Sequence, residues 1–314
     1  MMREVTVIIP NWNGKKYLCS CLHALYEQGI VEKDVIVVDN GSTDNSIEEA
    51  KKAFPNVRYI MFNKNYGFSK AVNEGIKMAK TPYVILLNND VKIEKGFVEA
   101  LLNKIKSDKN IFSVEAKLLQ QIDSRKIDSA GTTYNALGWA RARGKDCSDK
   151  KYNESCETFA ACAGAAIYRR SVFKEIGLFD EHYFAYLEDV DMGYRAKIHG
   201  YKNMYEPNAR ALHVGSASTG GRYNRFKVKY SARNNIYLIY RNMPWGQIVL
   251  NLPFLLVGFG IKFLYFAAKG FAKEYMRGIK EGFELCKIND KPKFIRGKLR
   301  NYVAIQFSLW RVNI

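Results

Sequence analysis

Between Gly177 and Arg195 the sequence reads Gly-Leu-Phe-Asp-Glu-His-Tyr-Phe-Ala-Tyr-Leu-Glu-Asp-Val-Asp-Met-Gly-Tyr-Arg, so Glu188, Asp189 and Asp191 follow directly on the aromatics Tyr183, Phe184 and Tyr186. Carboxylates beside bulky apolar groups are costly to desolvate and need a partner, a cation or a task. The spacing from Asp189 to Ile198 predicts a short helix with the acids in its first turn, where the helix dipole favours their ionised form. An ionised carboxylate at a helix start against an apolar wall is a candidate general base. A capping acid plus an Asp191–Arg195 (i, i+4) surface pair is the alternative. The segment alone leaves both open.

Two further acids end apolar runs. Asp39 opens Asp39-Asn-Gly-Ser-Thr-Asp44, which could also be only a turn and helix cap. Asn88-Asn-Asp90 is similar to a short Asp-x-Asp metal motif with only its last acid kept. One carboxylate, two phosphate oxygens and waters suffice to hold Mg²⁺ or Mn²⁺. His213, in the run Ala211 to Ser216, is a candidate second ligand, and imidazole tilts the choice toward Mn²⁺. Its alternative is a core or loop histidine, as core is for Trp12.

The elements that must position these groups are legible as patterns. Apolar, β-branched runs at Val5–Ile9, Asp34–Val38, Val57–Met61 and Tyr83–Leu87 alternate with helical patterns through Leu18, Leu22 and Leu25, Ser46–Phe54 and Lys70–Ala79. Such alternation predicts an α/β fold with a largely parallel sheet. Ligands of such sheets bind beyond the carboxyl ends of the strands. Pro10–Gly14, Asp39–Asp44 and Asn88–Asp90 all fall there. Ile111–Leu119 and Ala160–Tyr168 read as further strands, and the Gly-, Arg- and Lys-rich stretch Gly131–Lys151 as a mobile loop over the active face.

The 314 residues carry a net charge of +18, concentrated after Lys202. That excess points to anionic partners: lipid, nucleic acid or phosphorylated substrates. No nucleic-acid recognition motif accompanies it, so nucleic acid is not expected. The six cysteines form no Cys-x-x-Cys pair, which reads as reduced thiols in a cytosolic setting. A strand-like run begins at once, with no signal-peptide pattern ahead of it. Trp245–Ala268 is strongly apolar and matches the ~20 residues that cross a bilayer. Pro253 and Lys262 interrupt it, and Arg233, Arg241, Lys269, Lys273, Arg277 and Lys280 flank it. An interfacial or re-entrant hairpin of amphipathic helices on an anionic membrane surface fits both flanks; a core helix is the alternative. The expected division is a catalytic domain over 1–235 and a basic, apolar helical region over 236–314.

Five stretches in one order carry a resemblance: Thr6-Val-Ile-Ile-Pro-Asn-Trp-Asn-Gly14, Val38-Asp-Asn-Gly-Ser-Thr-Asp44, Asn65-Tyr-Gly-Phe68, Leu86-Leu-Asn-Asn-Asp-Val91 and Gly177–Arg195. Together the series resembles family 2 glycosyltransferases of GT-A fold, above all their rhamnosyltransferase-like branch. The resemblance implies a Rossmann-like, mostly parallel sheet flanked by helices, with a C-terminal membrane-associating segment. It implies inverting, metal-assisted transfer from a nucleoside-diphosphate sugar, dTDP-rhamnose or a UDP-sugar. The acceptor would be a glycan or polyprenyl-phosphate-linked, in cell-surface polysaccharide assembly at the cytoplasmic face of the membrane. It assigns Asp39 to the base and Pro10, Trp12 and Asn13 to the donor pocket wall, Trp12 by stacking. Asn65, Gly67 and Phe68 would contact the nucleotide, Asn89 and Asp90 the diphosphate, and Asp90 and His213 the metal. Asp189 would be the general base with Glu188 beside it, and Gly164 and Asp191 would lie on the acceptor side. Asn at 88 and 89 departs from the family pattern and leaves one carboxylate for the metal. Two rivals are a nucleotidyltransferase, for which Pro10–Gly14 lacks a Gly-x-Gly loop, and a non-catalytic sugar-nucleotide-binding scaffold, against which Asp90, Asp189 and His213 together argue.

Overall fold

The computed structural model describes residues 4–215 and 223–311, so Ser216 of the His213 run lies outside the described residues. The chain begins β1 (Val5–Asn11), α1 (Leu18–Glu27), β2 (Val35–Asp39), α2 (Ser46–Ala53), β3 (Arg58–Met61), α3 (Phe68–Met78), β4 (Tyr83–Leu87), β5 (Val91–Ile93) and α4 (Phe97–Lys106). Next come β6 (Ile111–Gln120), β7 (Ile127–Ser129), β8 (Thr132–Tyr134), β9 (Ala140–Ala142), β10 (Cys156–Thr158), β11 (Ala165–Arg169), α5 (Phe173–Ile176), α6 (Glu188–His199) and β12 (Lys202–His213). The last helices are α7 (Arg225–Asn242), α8 (Trp245–Ala268), α9 (Ala272–Ile288) and α10 (Leu299–Trp310).

The main sheet has the order β10-β12-β6-β11-β4-β1-β2-β3, with β5 on β12 and β7 on β6. β1 is parallel to β2 and β4, and β2 to β3. β11 runs against both β4 and β6, and β12 is parallel to β6. β1 to β4, β6 and β12 therefore share one direction. Their ends bring Asn11, Asp39, Asn88 and His213 to a single edge.

Both faces of this sheet are covered, which is why its strands read as continuous apolar runs. Val5, Val7 and Ile9 pack with residues of α1, α2 and α4, whereas Ile8, Ile36 and Val38 pack with α3, α5 and α6. Each such side chain, once fully buried, contributes about 1.5–3 kcal/mol.

A third core joins α6 to the C-terminal helices: Tyr194 and Ile198 pack with Tyr237, Leu238, Leu255, Tyr302 and Ile305. The 235/236 boundary expected from sequence falls inside α7. The expected mobile stretch Gly131–Lys151 instead forms the β8–β9 hairpin and docks on this core. Asn235 Nδ2 and Lys262 Nζ donate to Gly138 O at 2.7 and 3.2 Å, and Trp139 Nε1 donates to Gly258 O at 3.1 Å. The fully buried Lys117 of β6 secures its far end, donating to the carbonyls of Asp149 and Lys151. Trp245–Ala268 is one continuous helix with Pro253 inside it, and α9 follows after a short turn and packs against it.

Candidate active site

Hydrogen bonds between side chains stitch the strand-end loops together. Asn11 Nδ2 donates to Asp39 Oδ1, Ser42 Oγ and Ser46 Oγ at 2.9, 3.2 and 3.0 Å, and its Oδ1 accepts from Asn89 Nδ2 at 2.7 Å. The Asn13 side chain accepts from Thr43 N. Asn40 reaches the next loop, donating to Gly67 O at 3.0 Å and accepting from Tyr66 N at 3.2 Å. Asn65 Oδ1 accepts from Gly67 N at 2.8 Å. A Cβ on Gly67, whose φ is +90°, would lie 2.5 Å from Phe184 O, and Phe68 N donates to that oxygen at 2.6 Å. The Asn65–Phe68 loop is thereby fixed to the turn that precedes α6.

Trp12 is exposed and Pro10 half-buried beside it, leaving an aromatic face open at the edge. Asp39 ends β2 at this edge. It is buried, and its carboxylate accepts from Asn11 Nδ2, Ser42 Oγ and Ser42 N. Through these bonds it ties β1 to β2. At Gly164 a Cβ would meet Asn88 Nδ2 at 3.0 Å, so its small size accommodates Asn88.

The three acids of α6 have separate fates. Asp191 is 1% exposed; it accepts from Arg195 Nε and Nη2 at 2.9 and 2.7 Å, Asn242 Nδ2 at 2.7 Å and Tyr183 OH at 3.2 Å. Arg195 spends its remaining donors on the carbonyls of Ile176, Gly177 and Leu178. Asp191 is thus a buried structural ion pair, which corrects its assignment to the acceptor side. Glu188 is buried with Oε2 unpartnered, and burial followed by repulsion from Asp189 pushes its carboxyl well up. Asp189 is only partly exposed, so burial raises it too, but the amides of Val190 and Ala163 donate to it and oppose the rise. Burial thus raises both carboxyls, and of the two only Asp189 has backbone amides that favour its ionised form from neighbouring residues.

Glu115, which sequence reading passed over, supports this arrangement from within β6. It is wholly buried and accepts from Ser129 Oγ, Gly131 N, Thr132 Oγ1 and Cys162 N. Burial pushes it up to about 7 against these donors. Consecutive amides, Cys162 and Ala163, thus serve Glu115 and Asp189. Asn88 N donates to Gly164 O at 2.8 Å, which continues the connection toward Asp90.

Asp90 is 9% exposed and lies 3.5 Å from His213 Nε2. His213 Nδ1 lies 2.9 Å from Asp128 Oδ2 in β7, and Asp128 also pairs with Lys145. Burial disfavours a charged imidazole, yet Asp128 and Asp90 outweigh it and raise His213 to about 9. A carboxylate on one ring nitrogen orients the other toward a metal position. Asp128 was not marked by any sequence motif.

The turn before α6 is strained. Phe184, Tyr186 and Leu187 have φ of 61°, 73° and 69°. Each such non-glycine residue costs of order 1–3 kcal/mol and persists only where its surroundings over-determine it.

A mostly parallel sheet with helices on both faces and polar, acid-bearing loops at its carboxyl edge is the architecture of the GT-A fold. The glycosyl transferase family 2 model matches residues 6–177, and the chain belongs to that family. It is 30% identical over 239 residues to the N-acetylglucosaminyl-diphospho-decaprenol L-rhamnosyltransferase of Mycobacterium tuberculosis, covering 69% of this chain and 78% of that enzyme. Its fold is similar to GalNAc-T7 crystallised with UDP, GalNAc and Mn²⁺ (TM-score 0.58, 16% identity, 76% of this chain and 48% of the other). It is also similar to the mannosyltransferase PcManGT from Pyrobaculum calidifontis in complex with GDP-Man and Mn²⁺ (TM-score 0.53, 15% identity, 97% and 87%).

Proposed function

We propose that this chain is an inverting glycosyltransferase acting in cell-surface glycan assembly, with Asp189 as the general base. The observation that carries the reading is the division of labour at the start of α6: Asp191 is spent on Arg195, Glu188 is buried, and Asp189 alone of the three is partly exposed. Asp189 would take the proton from the acceptor hydroxyl as it attacks the anomeric carbon. Trp12 and Pro10 would wall the nucleotide. The favoured donor is dTDP-rhamnose, by likeness to the mycobacterial enzyme, with UDP-sugars second; calorimetric titration of a nucleotide-sugar panel tests this. Binding of neither class would sink the donor assignment.

Among the described residues no cluster of three or more His, Cys, Asp or Glu side chains is placed to hold a metal. Asp90 and the oriented His213 still fit a divalent cation whose other ligands are diphosphate oxygens and water, and the mixed N/O set suits Mn²⁺. A cation held there supplies Lewis-acid stabilisation of the departing nucleoside diphosphate. Asp128→Ala should lower Mn²⁺ affinity about 10- to 100-fold, read by electron paramagnetic resonance with nucleoside diphosphate present. Unchanged affinity would remove Asp128 from the site.

The acceptor would be polyprenyl-linked, and α8 supports a membrane surface as the place of reaction. That helix is inside out. It buries Gln247 and Asn251, whose amides pair with Tyr194, Gln306 and Trp310, while Val249, Leu256 and Leu264 are 68%, 66% and 68% exposed. An apolar face of this kind is stable against lipid rather than water. The Lys and Arg residues of α9 and the chain that follows suit anionic headgroups. Changing Leu256 and Leu264 together to Gln should weaken flotation with phosphatidylglycerol vesicles at least about tenfold, given about 1.5–3 kcal/mol per buried Leu. Equal flotation would take α8 out of the interface.

A further inference from the structure

The C-terminal helices reach the catalytic edge through two adjacent residues of α7. Asn234 is 0% exposed, and its Nδ2 donates to the carbonyls of Tyr183, Ala185 and Tyr186 at 2.9, 2.8 and 2.7 Å. Two protons serve three acceptors, so one proton is shared. Asn234 Oδ1 accepts from Arg233 Nε at 2.9 Å, and Arg233 Nη2 donates to the carbonyls of His182 and Tyr183. These carbonyls belong to the turn in which Phe184, Tyr186 and Leu187 hold positive φ. The turn runs directly into Glu188 and Asp189, and its Phe184 O receives Phe68 N beside Gly67. One pair of side chains thus fixes both the base-bearing turn and the loop expected to close on the donor.

α7 is in turn seated by α9. A Cβ at Gly278 would lie 2.3 Å from Lys229 O, and one at Gly282 would lie 2.6 Å from Arg233 O. The two helices meet backbone to backbone at the turn that carries Arg233. α9 follows directly on the inside-out α8.

We infer that Arg233 and Asn234 are positioning residues for the base, and that α7 makes the C-terminal helices a working part of the transfer centre as well as an anchor. The inference rests on Asp189 being the base. Without the Asn234 amide, the carbonyls of Ala185 and Tyr186 lose this donor while Tyr183 O keeps Arg233, and the turn relaxes toward ordinary φ, which swings Asp189 from its place. Misplacing a general base slows the chemical step and spares donor binding.

The test uses the full-length chain with Asn234→Ala and the milder Arg233→Gln. Asn251→Ala serves as a control: it removes an equally buried amide whose partners are Gln247, Gln306 and Trp310. Steady-state transfer and hydrogen exchange by mass spectrometry are measured together. The expected result for Asn234→Ala is a kcat loss of about 100-fold with little change in donor KM, the scale of an ångström-level misplacement. Exchange should accelerate across residues 184–190, and Arg233→Gln should show the same pattern more weakly. Asn251→Ala should keep the kcat of its folded fraction. A wild type with no transfer would defeat the glycosyltransferase reading, and the exchange measurement would still decide the clamp. Unchanged exchange over 184–190 in the folded Asn234 and Arg233 variants would overturn it, as would a kcat loss matched by Asn251→Ala.

Discussion

Asp189→Asn should abolish nearly all sugar transfer, by about 10³-fold within the 10²–10⁴ range that general-base catalysis supplies, while the nucleotide sugar still binds. Asparagine keeps the size and an oxygen to accept from Val190 N but cannot accept the acceptor's proton. The wild-type rate should also rise with pH along a limb above the ordinary Asp value of about 3.9, because burial raises Asp189 and only its ionised form is the base. Glu188→Gln should leave that limb nearly in place, since burial is what raises Asp189. Pre-steady-state transfer across pH separates the outcomes. Equal transfer by Asp189→Asn, or a limb that vanishes with Glu188→Gln, would hand the role to Glu188.

The second large effect is at Asp90. Asp90→Ala should lose Mn²⁺-dependent donor binding and cut transfer by about 10³-fold, which is about 4 kcal/mol of the stabilisation a Lewis acid gives a leaving group. His213→Ala should lose less, since Asp90 and the diphosphate remain. Donor titrations with and without chelator measure both. Full turnover in chelator, or an Asp90→Ala variant that matches wild type in Mn²⁺, would show that transfer proceeds without a cation at this place.

Much of this site could be read before any coordinates because parallel, two-sided strands spell themselves out as apolar runs. Once Val5–Ile9, Asp34–Val38 and Tyr83–Leu87 are strands, Trp12, Asp39 and Asp90 must stand at one edge. What the residues did not disclose is which acid is already spent. Asp189 and Asp191 are near neighbours, and only tertiary partners (Arg195, Asn242 and Tyr183) consume the second. Asp39 likewise looks free until Asn11 and Ser42 close on it. Asp128 lies on a three-residue strand with no pattern of its own, and pairing of β7 with β6 brings it to His213. Glu115 and Lys117 did leave a signal, two charges in an otherwise apolar strand, but their partners come from 129 to 162. The orientation of α8 was also hidden, since its composition is apolar on nearly every side and only Gln247, Asn251 and Lys262 mark the face turned inward.

The most direct test is transfer from a nucleotide-sugar panel to an N-acetylglucosaminyl-diphosphoryl lipid in Mn²⁺, following released nucleoside diphosphate and the anomeric configuration of the product by NMR. A single displacement assisted by Asp189 gives one nucleoside diphosphate per sugar transferred and an inverted anomeric centre. Retained configuration, or no release from any donor although the lipid is present, would contradict it.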